Sequence, residues 1–329
     1  MINKFMYGIP YYRQADVMIN DGLNFSRQDL CNFQIRATEI LKPMYDYLKK
    51  KLLSTSSNVI CADETTLRVL ENKKANSYVW VYISDFYNYP IYIYKYCKNR
   101  SKENVKKFLG DYNGYLLTDA YTGYENIDGI KNAFCRAHAR RKFAEIKKTL
   151  SEEQKKESVA VRIRKKIDKL FFEENKFKES KFGPEKIFSE RNTEKYLSLV
   201  DDIFSELESI EPSEGSALKR AFDYILNRKE EFLTFLKDGH IELSNNISER
   251  AIKPFVIDRK NLLFSNTENG ADSSLIFFSL QQTARANGVN TIKYISELIN
   301  KLGTTINIDD NLLEDLLPRK SNFSVFNAK

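Results

Sequence analysis

Only four cysteines and two histidines occur in this sequence, and no two cysteines form a CxxC pair. That excludes a disulfide-stapled scaffold and a zinc ribbon or finger of the usual spacing. Cys135 and His138 are spaced like two ligands of a zinc site, but the partner pair is missing, so reduced thiols are expected. Long hydrophobic runs are also absent. None approaches the roughly 18 apolar residues of a membrane span, so no membrane partner is expected. The first residues, MINKFMYGIPYYRQ, lack an apolar core followed by a small-residue cleavage site, and a cytoplasmic location is expected.

What is present is ordinary for a globular protein: 42% hydrophobic and 29% charged residues. At 329 residues the chain can bury one large core, or one core with a helical satellite. The net charge of +7 is unevenly placed, since residues 131–170 hold fourteen Lys and Arg against five Asp and Glu. Such a block suits a polyanion, because phosphate contacts release counterions, and it equally suits a solvated helix face.

Along the chain, residues 10–53 read as helical. Tyr11 to Asp21 is followed by Gly22, and Ser26 is placed to cap a long helix from Arg27 to about Leu53. The outline fits a helical hairpin better than a helix-turn-helix, because the second helix is long. From Asn58 to Phe134 the period switches to two, with β-branched and aromatic residues. NVICADET reads as a buried strand running into a turn. SYVWVYIS and IYIYKYC, joined by DFYNYP, read as an antiparallel hairpin. SKENVKKFLG is a short helix with Ser101 as cap and Gly110 as stop. GYLLTDAY is a second buried strand, and NAFC is a short strand leading into the basic helix AHARRKFAEIKKTL.

Three strands in meander, a helix, a strand, a helix and another short strand is the order of a ribonuclease H-like core. The fold expected is α/β, a mixed sheet flanked by helices, with a large all-helical insertion and helical N- and C-terminal segments. The expected division is a helical hairpin over 1–57, the first part of the core over 58–142 and the insertion over 143–240. The second part of the core, carrying a glutamate, follows over 241–265, and a helical segment closes the chain over 266–329. Within the insertion, FGPEK (182–186) and EPSEG (211–215) are breaks. Helices are further expected from about Asp272 to Asn287, ended by Gly288, and from Thr291 to Leu302.

Asp63 and Asp119 both fall where the two buried strands are expected to end, and Glu249 opens a later helix. Phosphodiester cleavage near neutral pH needs a strong nucleophile and relief of charge on the phosphate. Two Mg²⁺ (or Mn²⁺) ions about 3.5–4 Å apart supply both, held by two or three carboxylates. In that reading Asp63 bridges the ions while Asp119 and Glu249 take one each. Each acid has a plain alternative. Asp63 fits a turn, Asp119 fits a side-chain cap of DAYTGY, and Glu249 fits a capping box from Asn246 or an ion pair with Lys253. Around them Arg136, His138, Arg140, Arg141 and Lys142 follow one strand, and Arg250, Lys253, Arg259 and Lys260 follow Glu249. Guanidinium groups suit phosphate oxygens, and structural ion pairs account for such residues equally well.

Four blocks carry a resemblance: ADET (62–65), LLTDAYTGY (116–124), CRAHARRKF (135–143) and LSNNISERAIKP (243–254) followed by RKNLLF (259–264). Together with PYYRQ, LNFSRQDLCNF, SLQQTARANGV and the closing LLP, they resemble the transposases of the insertion sequence 66 family over nearly the whole chain. The resemblance implies a DDE catalytic domain with Asp63, Asp119 and Glu249 as the triad. It implies hydrolytic nicking at the element's 3′ ends, then attack of the freed 3′-hydroxyl on target DNA. DNA ends and target are the implied partners, with a homodimer or higher assembly on DNA and accessory proteins of the same element. Two departures stand out. Members of the family usually carry an N-terminal coiled coil and a cysteine-rich zinc-binding region ahead of this part, and Arg136 stands where an aromatic is usual. Alternative readings are a catalytically idle DNA-binding remnant or regulator, and a stand-alone nuclease of the same fold.

Overall fold

The computed structural model describes residues 1–73, 76–84 and 88–319. These fold into two compact units, Met1–Tyr112 with Ile247–Lys329, and Asn113–Asn246. Asp85 to Tyr87 of the DFYNYP connection and the last ten residues lie outside the described residues.

In the first unit, β1 (Val59–Leu67), β2 (Ser77–Ser84) and β3 (Ile91–Cys97) form the expected antiparallel meander. Cys61 opposes Ile83, and Tyr78 opposes Cys97. β1 does not turn at Asp63. The β-branched Thr65 and Thr66 continue the ladder to Leu67, so Asp63 lies mid-strand opposite Val81. What ends there is burial: Val59 to Ala62 are buried, and Asp63 to Thr65 are half-exposed. The long helix is Arg27–Leu53, and Ser26 and Asp29 close a reciprocal capping box at its start. Its inward stripe includes Leu30, Leu41, Met44, Leu48 and Leu52. Tyr11 and Ala15 of the helix Tyr11–Asn20 pack on Leu30 of the long helix. Over Lys102–Leu109, Gly110 stops the helix with φ +56, while the Ser101 hydroxyl accepts from the Asn104 side chain instead of a helix N–H.

β3 is the outer strand of this meander, and an outer strand exposes backbone groups that need partners. The helix Glu268–Ala286 supplies them from one stripe, with Asn287 just beyond it. Ser279 Oγ accepts from Tyr94 N at 2.8 Å, and Thr283 Oγ1 accepts from Tyr92 N at 3.0 Å. Asn287 Nδ2 donates to Pro90 O at 2.9 Å. The spacing i, i+4, i+8 inside SLQQTARAN is thus a set of hydroxyls and an amide matched to the backbone of β3. Farther up the same helix, Ser273 meets Thr38 at 2.7 Å and Gln34 at 3.0 Å on the long helix.

In the second unit, β4 (Gly114–Thr118) and β5 (Ile130–Phe134) pair in parallel. The pattern called for a helix between them; a single 3-10 turn, Thr122–Tyr124, stands there instead. With antiparallel and parallel pairing both present and helices dominating the rest, the chain is the α/β protein expected. From Arg136 to Lys237 the unit is helical. The break at FGPEK is built by Lys181 at φ +53, Gly183 before the helix and Pro184 at its first position. A Cβ on Gly239 would fall 1.8 Å from the Pro184 carbonyl oxygen, so that contact requires glycine. The apolar stripe of the helix Val159–Glu179 runs Ile163, Ile167, Leu170, then Glu174, then Phe177. Glu174 keeps its place in the core because Arg191 binds both carboxylate oxygens at 2.8 Å and the Tyr196 hydroxyl adds a third bond at 2.5 Å.

Candidate functional site

Two of the three acidic candidates belong to the first unit. Asp63 is half-buried on β1, and its Oδ1 accepts the backbone N–H of Glu64 at 2.9 Å, which orients the carboxylate. Its neighbour Glu64 bonds Arg100, whose Nε donates at 2.6 Å. Glu249 lies in the first turn of the helix Asn246–Leu262 and is half-buried. The buried face of that helix is Ser248, Ala251, Ile252 and Phe255. Pro254 stands inside the helix, and the Tyr94 hydroxyl on β3 donates to the Ala251 carbonyl at 2.8 Å.

The basic residues after Glu249 divide by environment. Arg250, Lys253 and Lys260 are exposed. Arg259 is half-buried and bonds the end of β1, through Thr65 Oγ1 at 3.3 Å, Thr66 Oγ1 at 2.9 Å and the Thr66 carbonyl. It fastens the far end of the Glu249 helix to the strand that bears Asp63.

Asp119 belongs to the second unit, one residue past β4. Its Oδ1 accepts the Tyr121 N–H at 3.1 Å, which is the turn cap that the sequence allowed as an alternative. An ionised carboxylate has about four lone-pair sites, so this bond orients the group without exhausting it. Tyr224 is pushed up to about 12 by burial, opposed by a hydrogen bond with the Ala120 backbone and assisted by the charge of Asp119.

The helix Arg136–Lys148 carries the other basic block. Arg136 is only 6% exposed, with its guanidinium 3.7 Å from the centroid of Phe235 and Nη1 donating to Phe134 O at 3.3 Å. Burial pulls it down to about 9. His138 is half-buried. Arg140 pairs with Asp168, and Lys142 lies 4.3 Å from the centroid of Tyr224. Arg141 is exposed. Cys135 is buried, and its sulfur accepts the Asn245 N–H at 3.1 Å. Tyr94, the Arg259 anchor and the Glu174–Arg191 pair have no signature in the sequence. Alternation identifies a strand tyrosine, but it does not say where the hydroxyl is directed.

No helix among the described residues is long and apolar enough to cross a membrane. Residues 1–273 match the family described as Transposase IS66 family. Similar proteins include two from Sinorhizobium fredii (strain NBRC 101917 / NGR234), the uncharacterized proteins y4qI and y4hP. Each is 28% identical, over 321 and 324 residues, covering 92% of this chain and 58% of its own length. A third from the same strain, the uncharacterized protein y4jD, is 28% identical over 344 residues, covering 97% of this chain and 64% of its own length. The chain thus spans less than two thirds of the relatives it matches. With the family profile running from the first residue through the Glu249 helix, the chain belongs to the IS66 transposase family.

Proposed function

We propose that this chain is the catalytic region of a DNA transposase of the DDE type, cleaving at the ends of its element and joining the freed 3′-hydroxyl to target DNA. The observation that carries the reading is that the family match includes all three motif acids, each half-buried: Asp63 on a strand, Asp119 just past one, Glu249 in the first turn of a helix. Asp63, Asp119 and Glu249 would hold two divalent ions, Mg²⁺ or Mn²⁺, and their hard carboxylate oxygens suit those ions. When bound, such a pair supplies charge relief at the phosphate and activation of the attacking oxygen.

The chain's own residues divide the remaining work. Asp63 is held by the β1–β2 ladder, so its carboxylate is fixed before substrate arrives. Glu249 stands on a longer side chain, which can follow changes in phosphate geometry. Exposed Arg250, Lys253 and Lys260 of the first unit and, in the second, exposed Arg141 with His138, Arg140 and Lys142 are the proposed DNA contacts. Arg136, stacked and buried, and Arg259, bonded to β1, serve the scaffold in this proposal. The partners proposed are the element ends and the target, engaged by two or more copies of the chain.

The test is nicking of DNA that carries the element's ends. Asp63→Asn should lower Mg²⁺-dependent nicking by at least about 100-fold while DNA affinity holds within about two-fold, since only a carboxylate that holds charge at the reacting phosphate is lost. Wild-type rates in Asp63→Asn would remove Asp63 from the site.

A further inference from the structure

We infer that Tyr94 is a positioning residue for Glu249, holding the first two turns of the Asn246–Leu262 helix through the hydrogen bond from its hydroxyl to Ala251 O; this rests on the catalytic reading above. The need for such a brace follows from Pro254. Proline offers no N–H to the carbonyl four residues back, here Arg250 O, and its ring crowds that carbonyl, so the turn that follows Glu249 lacks one backbone hydrogen bond. An outside partner in that turn restrains the segment carrying the glutamate, and the carbonyl next to Arg250 O, that of Ala251, receives one.

Tyr94 is built to be that partner. It is 1% exposed on β3, and its hydroxyl reaches Ala251 O at 2.8 Å, two residues past Glu249. Its backbone is fixed on both sides, the N–H by Ser279 Oγ at 2.8 Å and the carbonyl by the Tyr45 hydroxyl at 3.2 Å. Its ring stands edge-on to Phe278 at 4.8 Å, and Phe255, one residue past Pro254, meets the same Phe278 at 5.8 Å. The brace therefore joins β3, the helix Glu268–Ala286 and the Glu249 helix in one aromatic contact, with a single polar bond at its tip. Burial pushes the phenol well above its ordinary range, so it remains a donor at any working pH. Glu249 and Ala251 are roughly 3 Å apart along the helix axis, so a shift of the bonded carbonyl carries the glutamate with it. Displacement of about 1 Å in a catalytic group can cost on the order of 100-fold in rate.

The experiment compares wild type, Tyr94→Phe, Glu249→Gln and Asp63→Asn in the full chain, with three readouts. Amide hydrogen exchange at Arg250 to Lys253 and Phe255 should quicken about 10-fold in Tyr94→Phe, while β1 to β3 keep their protection and the melting temperature confirms folding. Mn²⁺ binding followed by calorimetry should weaken about 5- to 10-fold, in the direction of Glu249→Gln. Nicking should show kcat down about 10-fold, the Mg²⁺ needed for half-maximal rate raised, and KM for DNA within two-fold. Unchanged exchange, or unchanged Mn²⁺ affinity, overturns the inference whether or not the wild type nicks. Quicker exchange with wild-type kcat and metal dependence also overturns it, leaving Tyr94 a packing residue. Failure of the catalytic reading is separate: it shows as an inert wild type, or as an Asp63→Asn variant that binds metal and cuts unchanged.

Discussion

Buried against Phe235 in the second unit, the Arg136 guanidinium lies 3.7 Å from the ring centroid, within reach of the contact an aromatic side chain would make. Its Nη1 reaches a backbone oxygen, while Nη2 is buried with no hydrogen-bond partner among the described residues. Burial draws its pKa down from the ordinary guanidinium range to about 9. The resemblance implies an aromatic at this position, and the guanidinium over Phe235 keeps a ring contact there at a desolvation penalty. Arg136→Trp should then be neutral or stabilising by about 1 kcal/mol, because the ring contact is kept and the unsatisfied donor is removed. Arg136→Ala should cost about 2–4 kcal/mol by opening a cavity over Phe235. Urea unfolding of the three proteins decides the matter; a Trp variant less stable than the Ala variant would show that the charge, not the stack, is what the site requires.

At the scale of elements, the outer strand β3 and the helix Glu268–Ala286 form a hydrogen-bonded pair in which helix hydroxyls stand in for a missing neighbouring strand. Thr283→Val keeps the shape of the side chain but leaves the Tyr92 N–H without its oxygen, and should cost about 1–2 kcal/mol, while Thr283→Ser should cost less. Denaturant midpoints would test this, and equal losses in both variants would assign the effect to methyl packing. The strands were legible because SYVWVYIS and IYIYKYC alternate, and the helix start at Arg27 was legible because Ser26 is a cap residue whose side chain does accept a helix N–H. The pairing of Ser279, Thr283 and Asn287 with β3 was not, since hydroxyls on a helix face carry no label for the strand they will meet. The helix Asn246–Leu262 runs on through Pro254, which removes one backbone hydrogen bond, and the Tyr94 hydroxyl holds the carbonyl next to the one left without a donor. Asp63 was expected at a strand end, and burial does change there; two further β-branched residues carry the ladder past it. The acidic candidates themselves were readable only as motif members, since Asp119 also satisfies its plain role as a turn cap.

For the whole molecule, the relevant quantity is the distribution of charge. A net +7 on 329 residues is a modest excess, and much of the basic side-chain population is already paired within the protein, as Arg140 is with Asp168 and Arg191 with Glu174. In the function proposed above, exposed cations carry the DNA contacts: Arg141 in the second unit and, separately, Arg250, Lys253 and Lys260 in the first. Each phosphate contact lowers the slope of log affinity against log salt by about 0.9, since each releases condensed counterions. Replacing Arg141, Lys253 and Lys260 together by alanine should weaken DNA binding at low salt and flatten that slope by about 2–3, with the metal dependence of nicking unchanged. The same triple change should leave stability within about 0.5 kcal/mol, because exposed side chains of this kind contribute little to folding. Fluorescence anisotropy across a salt series measures the slope directly. An unchanged slope in the triple variant would mean that DNA meets another surface, and a wild-type affinity indifferent to salt would mean that phosphate contacts do not drive binding.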